Sequence, residues 1–216
     1  MDFLDSRHLT THDGYIHPFR DAGTFNYSAL ISELSETPEA GLIVVEAGGG
    51  SEGEGQQHDI VLHWDAAAGR FLPRDEDRRK TIKQNDFVVF QFDAAVPGQP
   101  PCFVLIQHEL RTVGDSRKLQ KHDAYTHFFL QAGDYAYSVG RASYRLSVTD
   151  HRKFSAEEQT KRAQEPLVVM VNGSDLSVKN AKIVAGQTVI WAVESGSDVS
   201  IVVTTGGDKK SIADAN

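Results

Sequence analysis

The chain has 216 residues, 40% hydrophobic and 24% charged, with 18 glycines and 7 prolines. That is ordinary globular composition and excludes collagen, coiled coil and wholesale disorder. Asp and Glu number 30 against 22 Lys and Arg, a formal charge of -8, so no basic excess supplies the phosphate attraction of a general nucleic-acid binder. The start, MDFLDSRHLTTHDG, lacks a basic n-region and an apolar h-region, so no signal peptide is expected, and no apolar run reaches membrane-span length. The single cysteine, Cys102, excludes an intrachain disulfide and thiolate-rich zinc sites.

In chain order, Gly41–Glu46 (GLIVVE) reads as a strand and GGGSEGEG at 48–55 as a flexible link. Ile60–Trp64 is strand, RDEDRRK at 74–80 a solvated loop or partner-binding patch, and Phe87–Phe92 strand after an Asn85-Asp86 turn. AAVPGQPP at 94–101 is a loop before the strand Cys102–Ile106. Tyr135–Tyr137 and Ser143–Val148 are strands; SAEEQTKRAQ at 155–164 is the one helix, with Ser155 and Glu158 forming a capping box. Leu167–Val171, Thr188–Val193 (after a Gly186-Gln187 turn) and Val199–Val203 complete the strands, and a polar tail closes the chain.

A duplication organises these elements. HDGYIHPFRDAGTFNYS begins at His12 and HDAYTHFFLQAGDYAYS at His122, an offset of 110 residues with nine of seventeen positions identical. Residues 82–92 and 183–193 correspond as a second pair, each a turn followed by an apolar strand. The order is therefore C-half, N-half, C-half, N-half. The expected division is a continuous unit, 58–150, and a second unit made of 1–47 plus 167–206, closed by both chain ends. Residues 48–57 are expected to be a Gly-rich linker, 151–166 a helical linker between the units and 207–216 the polar tail. Closure within one chain and closure on the next subunit, as a head-to-tail swapped polymer, both satisfy this pattern.

The pattern aromatic-x-His-x-Phe…AGxY/FxYS, followed by a strand, resembles the last third of a cupredoxin domain, and FLPRDEDRRKTIKQNDFVVFQFD resembles the first half. The resemblance covers about 180 residues. It implies a Greek-key β-sandwich for each unit, so that with the capped segment at 155–164 the expected fold is all-β, two Greek-key cupredoxin-like β-sandwiches with one short connecting helix. The family's copper ligands do not carry over. Cys102 and Val199 occupy the neighbourhood of the first histidine ligand, Ser138 and Ser28 stand for the cysteine, and VGRASYRL and ALISELSE hold neither the second histidine nor a methionine. A serine hydroxyl cannot replace the soft thiolate of a blue-copper site.

Among residues with chemistry, His12, His17, His122 and His127 are the candidate metal ligands, imidazole being suited to zinc, copper or nickel. Their spacing of five puts partners on opposite faces of a strand, so a shared ion needs a bend; the alternative is a duplicated structural loop whose histidines hydrogen-bond the backbone. His58 and His63 read as strand-end polar residues, and Cys102, entering an apolar strand after Pro100-Pro101, as a buried thiol. Ser28 and Ser138 lack the G-x-S-x-G context of a nucleophile. The glycine-rich segment has no G-K-[ST] ending, and its acids repel phosphate.

With no catalytic set and no cofactor expected, the reading is a non-enzymatic structural or assembly protein working through protein–protein contacts, as a shell, virion, tail or filament component. A homo-oligomer or part of a larger assembly is expected, with no nucleic acid and no membrane span, in the cytoplasm or in a particle assembled there. The alternatives are a metal-binding or redox accessory protein using a non-standard histidine site, and the binding subunit of an enzyme complex.

Overall fold

The computed structural model describes residues 4–32, 40–48, 50–51, 54–93, 96, 98–150, 152, 154–196 and 198–205; the 207–216 tail lies outside the described residues. The β-branched and aromatic runs form strands as their alternation requires. In chain order they are β1 (Leu4–Asp5), β2 (Asp13–Pro18), β3 (Gly23–Leu30), β4 (Gly41–Glu46), β5 (Gln57–Asp65), β6 (Arg70–Pro73), β7 (Arg79–Lys83), β8 (Phe87–Phe92), β9 (Phe103–His108) and β10 (Arg111–Asp115). There follow β11 (Ala124–Phe129), β12 (Gly133–Val139), β13 (Ala142–Thr149), the helix α1 (Ala156–Gln164), β14 (Leu167–Asn172), β15 (Asp175–Leu176), β16 (Asn180–Val184), β17 (Gln187–Ser195) and β18 (Ile201–Thr205). The protein is all-β and of the sandwich class, with α1 its one α-helix among the described residues.

An eight-stranded sheet, β15-β14-β17-β11-β2-β8-β5-β6, runs through the whole molecule. Two five-stranded sheets, β10-β9-β3-β4-β7 and β1-β18-β12-β13-β16, pack against its inner face. Aromatic rings weld the layers: Tyr27 lies 5.4 Å from Phe90 in the first half and Tyr137 5.9 Å from Trp191 in the second. At roughly 0.5–1.5 kcal/mol beyond burial for each pair, these contacts add to a core that joins both halves in one apolar cluster.

The strand ladders divide the chain differently from the expected interleaving. β2 pairs with β8, β3 with β9 and β4 with β7, so residues 13–46 fold with the segment that follows them, 57–115. Likewise β11 pairs with β17, β12 with β18 and β13 with β16. Each C-half therefore joins the N-half after it, not the one before it, because the short connections allow neighbouring segments to pair at less entropic cost than distant ones. Two expected linkers change role with this correction. The glycine-rich segment joins β4 to β5 inside the first half, and α1 joins β13 to β14 inside the second. One part of the expected closure is present: β1 at the start pairs antiparallel with β18 at the end, Leu4 opposite Val203.

Local chemistry follows the sequence. Asn85 and Gly186 adopt φ values of 72° and 94° at the two expected turns. Ser155 caps α1 in a capping box: its hydroxyl accepts from Glu158 N–H while the Glu158 carboxylate reaches back to the Ser155 N–H. Residues 74–80 are not simply solvated. Asp77 is buried, accepts from Val61 N–H at 3.0 Å and pairs with Lys80 at 2.7 Å.

Candidate functional site

The halves meet along β2 and β11, paired antiparallel with Tyr15 opposite Tyr125. Those residues are equivalents in the repeat, so a pseudo-two-fold axis passes through the pair. Two chain segments cross between the halves on either side of it, and they extend the duplication upstream: Asp5/Asp115, Ser6/Ser116, Arg7/Arg117 and Leu9/Leu119 also match. Each half of this extension repeats the same bonds. Arg7 holds Asp5 through Nε and Nη2, as Arg117 holds Asp115. Ser6 and Ser116 accept from Ile201 and Val104 N–H, each at 3.1 Å. Burial pushes the Asp5 carboxyl upward, but the hydrogen bonds and charge of Arg7, with a contribution from His8, outweigh it and hold the group below the usual carboxylate value.

Each crossing segment ends in an aspartate buried against the other half. Asp13 Oδ2 accepts from Thr10 N–H (2.7 Å) and Thr10 Oγ1–H (2.6 Å), while its Oδ1 accepts from Tyr125 O–H and from His127 Nδ1 at 2.7 Å. Asp123 mirrors it: Gln120 N–H and Tyr15 O–H donate to Oδ2 at 2.9 and 3.1 Å, and His17 Nδ1 lies 2.7 Å from Oδ1. Both aspartates are almost fully buried. Burial, reinforced by the facing aspartate, pushes the Tyr15 and Tyr125 hydroxyls far above their ordinary pKa. The tyrosines thus stay protonated and donate to the facing aspartates. Gly114 keeps room for the first network: a Cβ there would stand 2.9 Å from Tyr15 Oη and 3.0 Å from His17 Nδ1.

The candidate histidines therefore divide into two kinds. His17 and His127 bond carboxylates across the pseudo-axis, not the backbone. His12 is exposed, its carbonyl accepting from Phe128 N–H. His122 sits at φ 78° and donates its N–H to Val193. Among the described residues no three His, Cys, Asp or Glu side chains come together to hold an ion. His58, on β5, places its Nε2 2.8 Å from Oδ2 of Asp86 in the turn between β7 and β8. Cys102 is buried, and burial together with the Asp13 charge raises its thiol well above the ordinary value, the opposite of nucleophile activation. It exchanges two backbone hydrogen bonds with Leu9, as Val199 does with Leu119.

Two cavities open beside the crossing segments. One, of about 530 Å³, lies over Asp5, His8 and Thr10 against Pro100 and Pro101. The other, of about 320 Å³, lies over His17 and Asp123. The residues that build the centre, Asp13, Asp123, Tyr15 and Tyr125, were all visible as identities in the repeat. The signal that they bond crosswise is the sum of positions: residues facing one another across β2 and β11 are those whose copies also face one another.

A scan against protein-family models and searches among curated proteins and solved structures return no match to this chain. The functional reading therefore rests on the geometry. Among the described residues no helix is long and apolar enough to cross a membrane.

Proposed function

We propose that the chain is a non-enzymatic structural protein, built of two copper-free cupredoxin-like Greek-key sandwiches, and that copies of it meet through the outer face of the eight-stranded sheet. The observation that carries this reading is the composition of that face. Phe128 and Val168 are exposed at 37% and 45%, and half-buried Met170, Ile190 and Ile16 lie on adjoining strands of the same face. Contiguous exposed apolar surface on a packed sheet marks an interaction site. A face with a pseudo-two-fold axis through its centre suits a second copy, since a two-fold interface uses one patch on both partners.

A second contact point supports the same role. Leu110 is 98% exposed at the tip of the β9–β10 hairpin, where it and Glu109 take φ values of 68° and 48°. A turn of this kind ordinarily uses Asn-Gly, so an exposed leucine held there favours contact with a partner. The single buried thiol fits a reducing compartment, the cytoplasm or a particle assembled in it.

Light scattering across a concentration series tests the reading. The native chain should associate as its concentration rises. Phe128→Lys with Val168→Lys, both outward-facing, should leave a folded monomer with unchanged circular dichroism. A native chain that stays monomeric throughout, or a double variant that associates equally well, would overturn it.

A further inference from the structure

We infer that the cleft over His17 binds a small organic anion, a carboxylate or phosphoryl head on a compact apolar body. This goes beyond the assembly reading and does not depend on it. The wall is aromatic: His17 packs edge-on against Phe19 at 5.0 Å, Phe19 against Phe25 at 5.1 Å, and Phe25 beneath His108 at 4.7 Å. All four line the 320 Å³ cleft, within the usual size of a small-molecule site. His17 is oriented by Asp123 through Nδ1, leaving Nε2 as the polar atom of a ring that lines the cavity. A carboxylate bonded to one imidazole nitrogen fixes the ring's direction and makes the other nitrogen a positioned contact for a ligand. Arg20, Lys121 and His122 also line the cleft, with Asp21 the one acid there outside the Asp123 network.

The duplication supplies the control. The buried frame is the same in the second half: Asp13, His127 and Tyr125 bond as Asp123, His17 and Tyr15 do. The lining is not. Leu130 stands where the first half has Arg20, and Thr11 where it has Lys121. Thr205 lies opposite Tyr135, where in the first half the His108 ring packs on Phe25. His122 takes a positive φ that His12 does not. A frame needed only for folding would be indifferent to these changes. Three nitrogen-bearing side chains gathered at one copy, in a chain of net charge -8, point to an anionic ligand drawn into that copy.

Calorimetric titration of the full chain tests this with benzoate and phenyl phosphate as probes, benzyl alcohol as the neutral analogue and inorganic phosphate as the head alone. At least one aromatic anion should bind, and the better one identifies a carboxylate or a phosphoryl site. Benzyl alcohol and inorganic phosphate should each bind at least about tenfold more weakly. Arg20→Leu with Lys121→Thr installs the residues of the second half and should weaken the aromatic anion by about tenfold or more with an unchanged melting temperature. Should that pair fail to fold, Lys121→Thr alone, at an exposed position, should still weaken binding severalfold. Neither anion binding, an affinity untouched by the substitutions, or equal binding of benzyl alcohol would overturn the assignment.

Discussion

In the first half the His17 ring faces a cleft lined by Arg20, His108 and Lys121; in the second, Leu130, Thr205 and Thr11 take those positions over the same buried bonding. A duplicated fold thus separates two demands. What both copies keep is what joining the halves requires, because each aspartate reaches across the pseudo-axis to the other half's histidine. What one copy alone carries is free of that demand. The comparison also runs the other way: the second half has features of its own, among them α1 and the orphaned indole of Trp191.

The strongest test of the shared frame removes one aspartate at a time. Asp123→Ala strips the partner from the buried Tyr15 hydroxyl, His17 and the Gln120 N–H, and Asp13→Ala strips four such bonds. Breaking a buried pair from one side costs about 3–5 kcal/mol, so both variants should unfold at much lower denaturant, with Asp13→Ala the worse. If either proved silent in denaturant titration, the halves would be held together by apolar contact alone.

A smaller effect distinguishes the halves by pH. Asp86 in the first half accepts from Lys83 N–H and Gln56 N–H and lies 2.8 Å from His58 Nε2, whereas Gln187 accepts from Val184 N–H at the matching turn of the second. Burial raises the Asp86 carboxyl, but the two backbone donors and His58 outweigh it, leaving it below its ordinary 3.8. Its folded value is depressed, so its contribution is complete above the unfolded value and fades as the pH falls through the folded one. Asp86→Gln, the second-half solution, should cost about 2 kcal/mol at neutral pH and flatten the loss of stability below about pH 4. Denaturant midpoints measured across the acid range check both.

The sequence made strands such as β8 and β17, both positive-φ turns and the capping box of α1 legible, because each is written in a few adjacent residues; β2 and β11, whose histidine-rich segments read equally as a duplicated loop, were not. It also exposed the duplication and the order of half-units. It did not show which half-units pair. Apolar alternation in Phe87–Phe92 states that a strand is buried, and leaves open whether β2 or β11 lies beside it. The crossing bonds were hidden for a related reason. Asp13 and Asp123 are identities in the repeat, but nothing local marks an aspartate whose partner lies 114 residues away. The upstream match from Asp5 to Leu9 is four identities in five residues, too short to stand out without the bonds that repeat with it.

The smallest expected effect concerns the aromatic pair behind each central tyrosine. Phe90 stacks on Tyr15 at 6.0 Å and 18°, and Trp191 on Tyr125 at 5.5 Å and 20°, so the two halves solve one packing problem with different rings. Trp191 is fully buried, and its Nε1–H has no hydrogen-bond partner among the described residues. Leaving such a donor unsatisfied costs about 1–3 kcal/mol. Trp191→Phe, which copies the first half, gives up ring contacts but releases that donor, and the two terms should leave stability within about 1 kcal/mol of the native chain. The reverse change, Phe90→Trp, must force a larger ring into a filled core and buries a new donor, so it should cost about 1–3 kcal/mol or more. Thermal unfolding of the two variants side by side reads the asymmetry directly. Equal losses in both would mean that the indole nitrogen is satisfied after all, and that the second half is built around tryptophan.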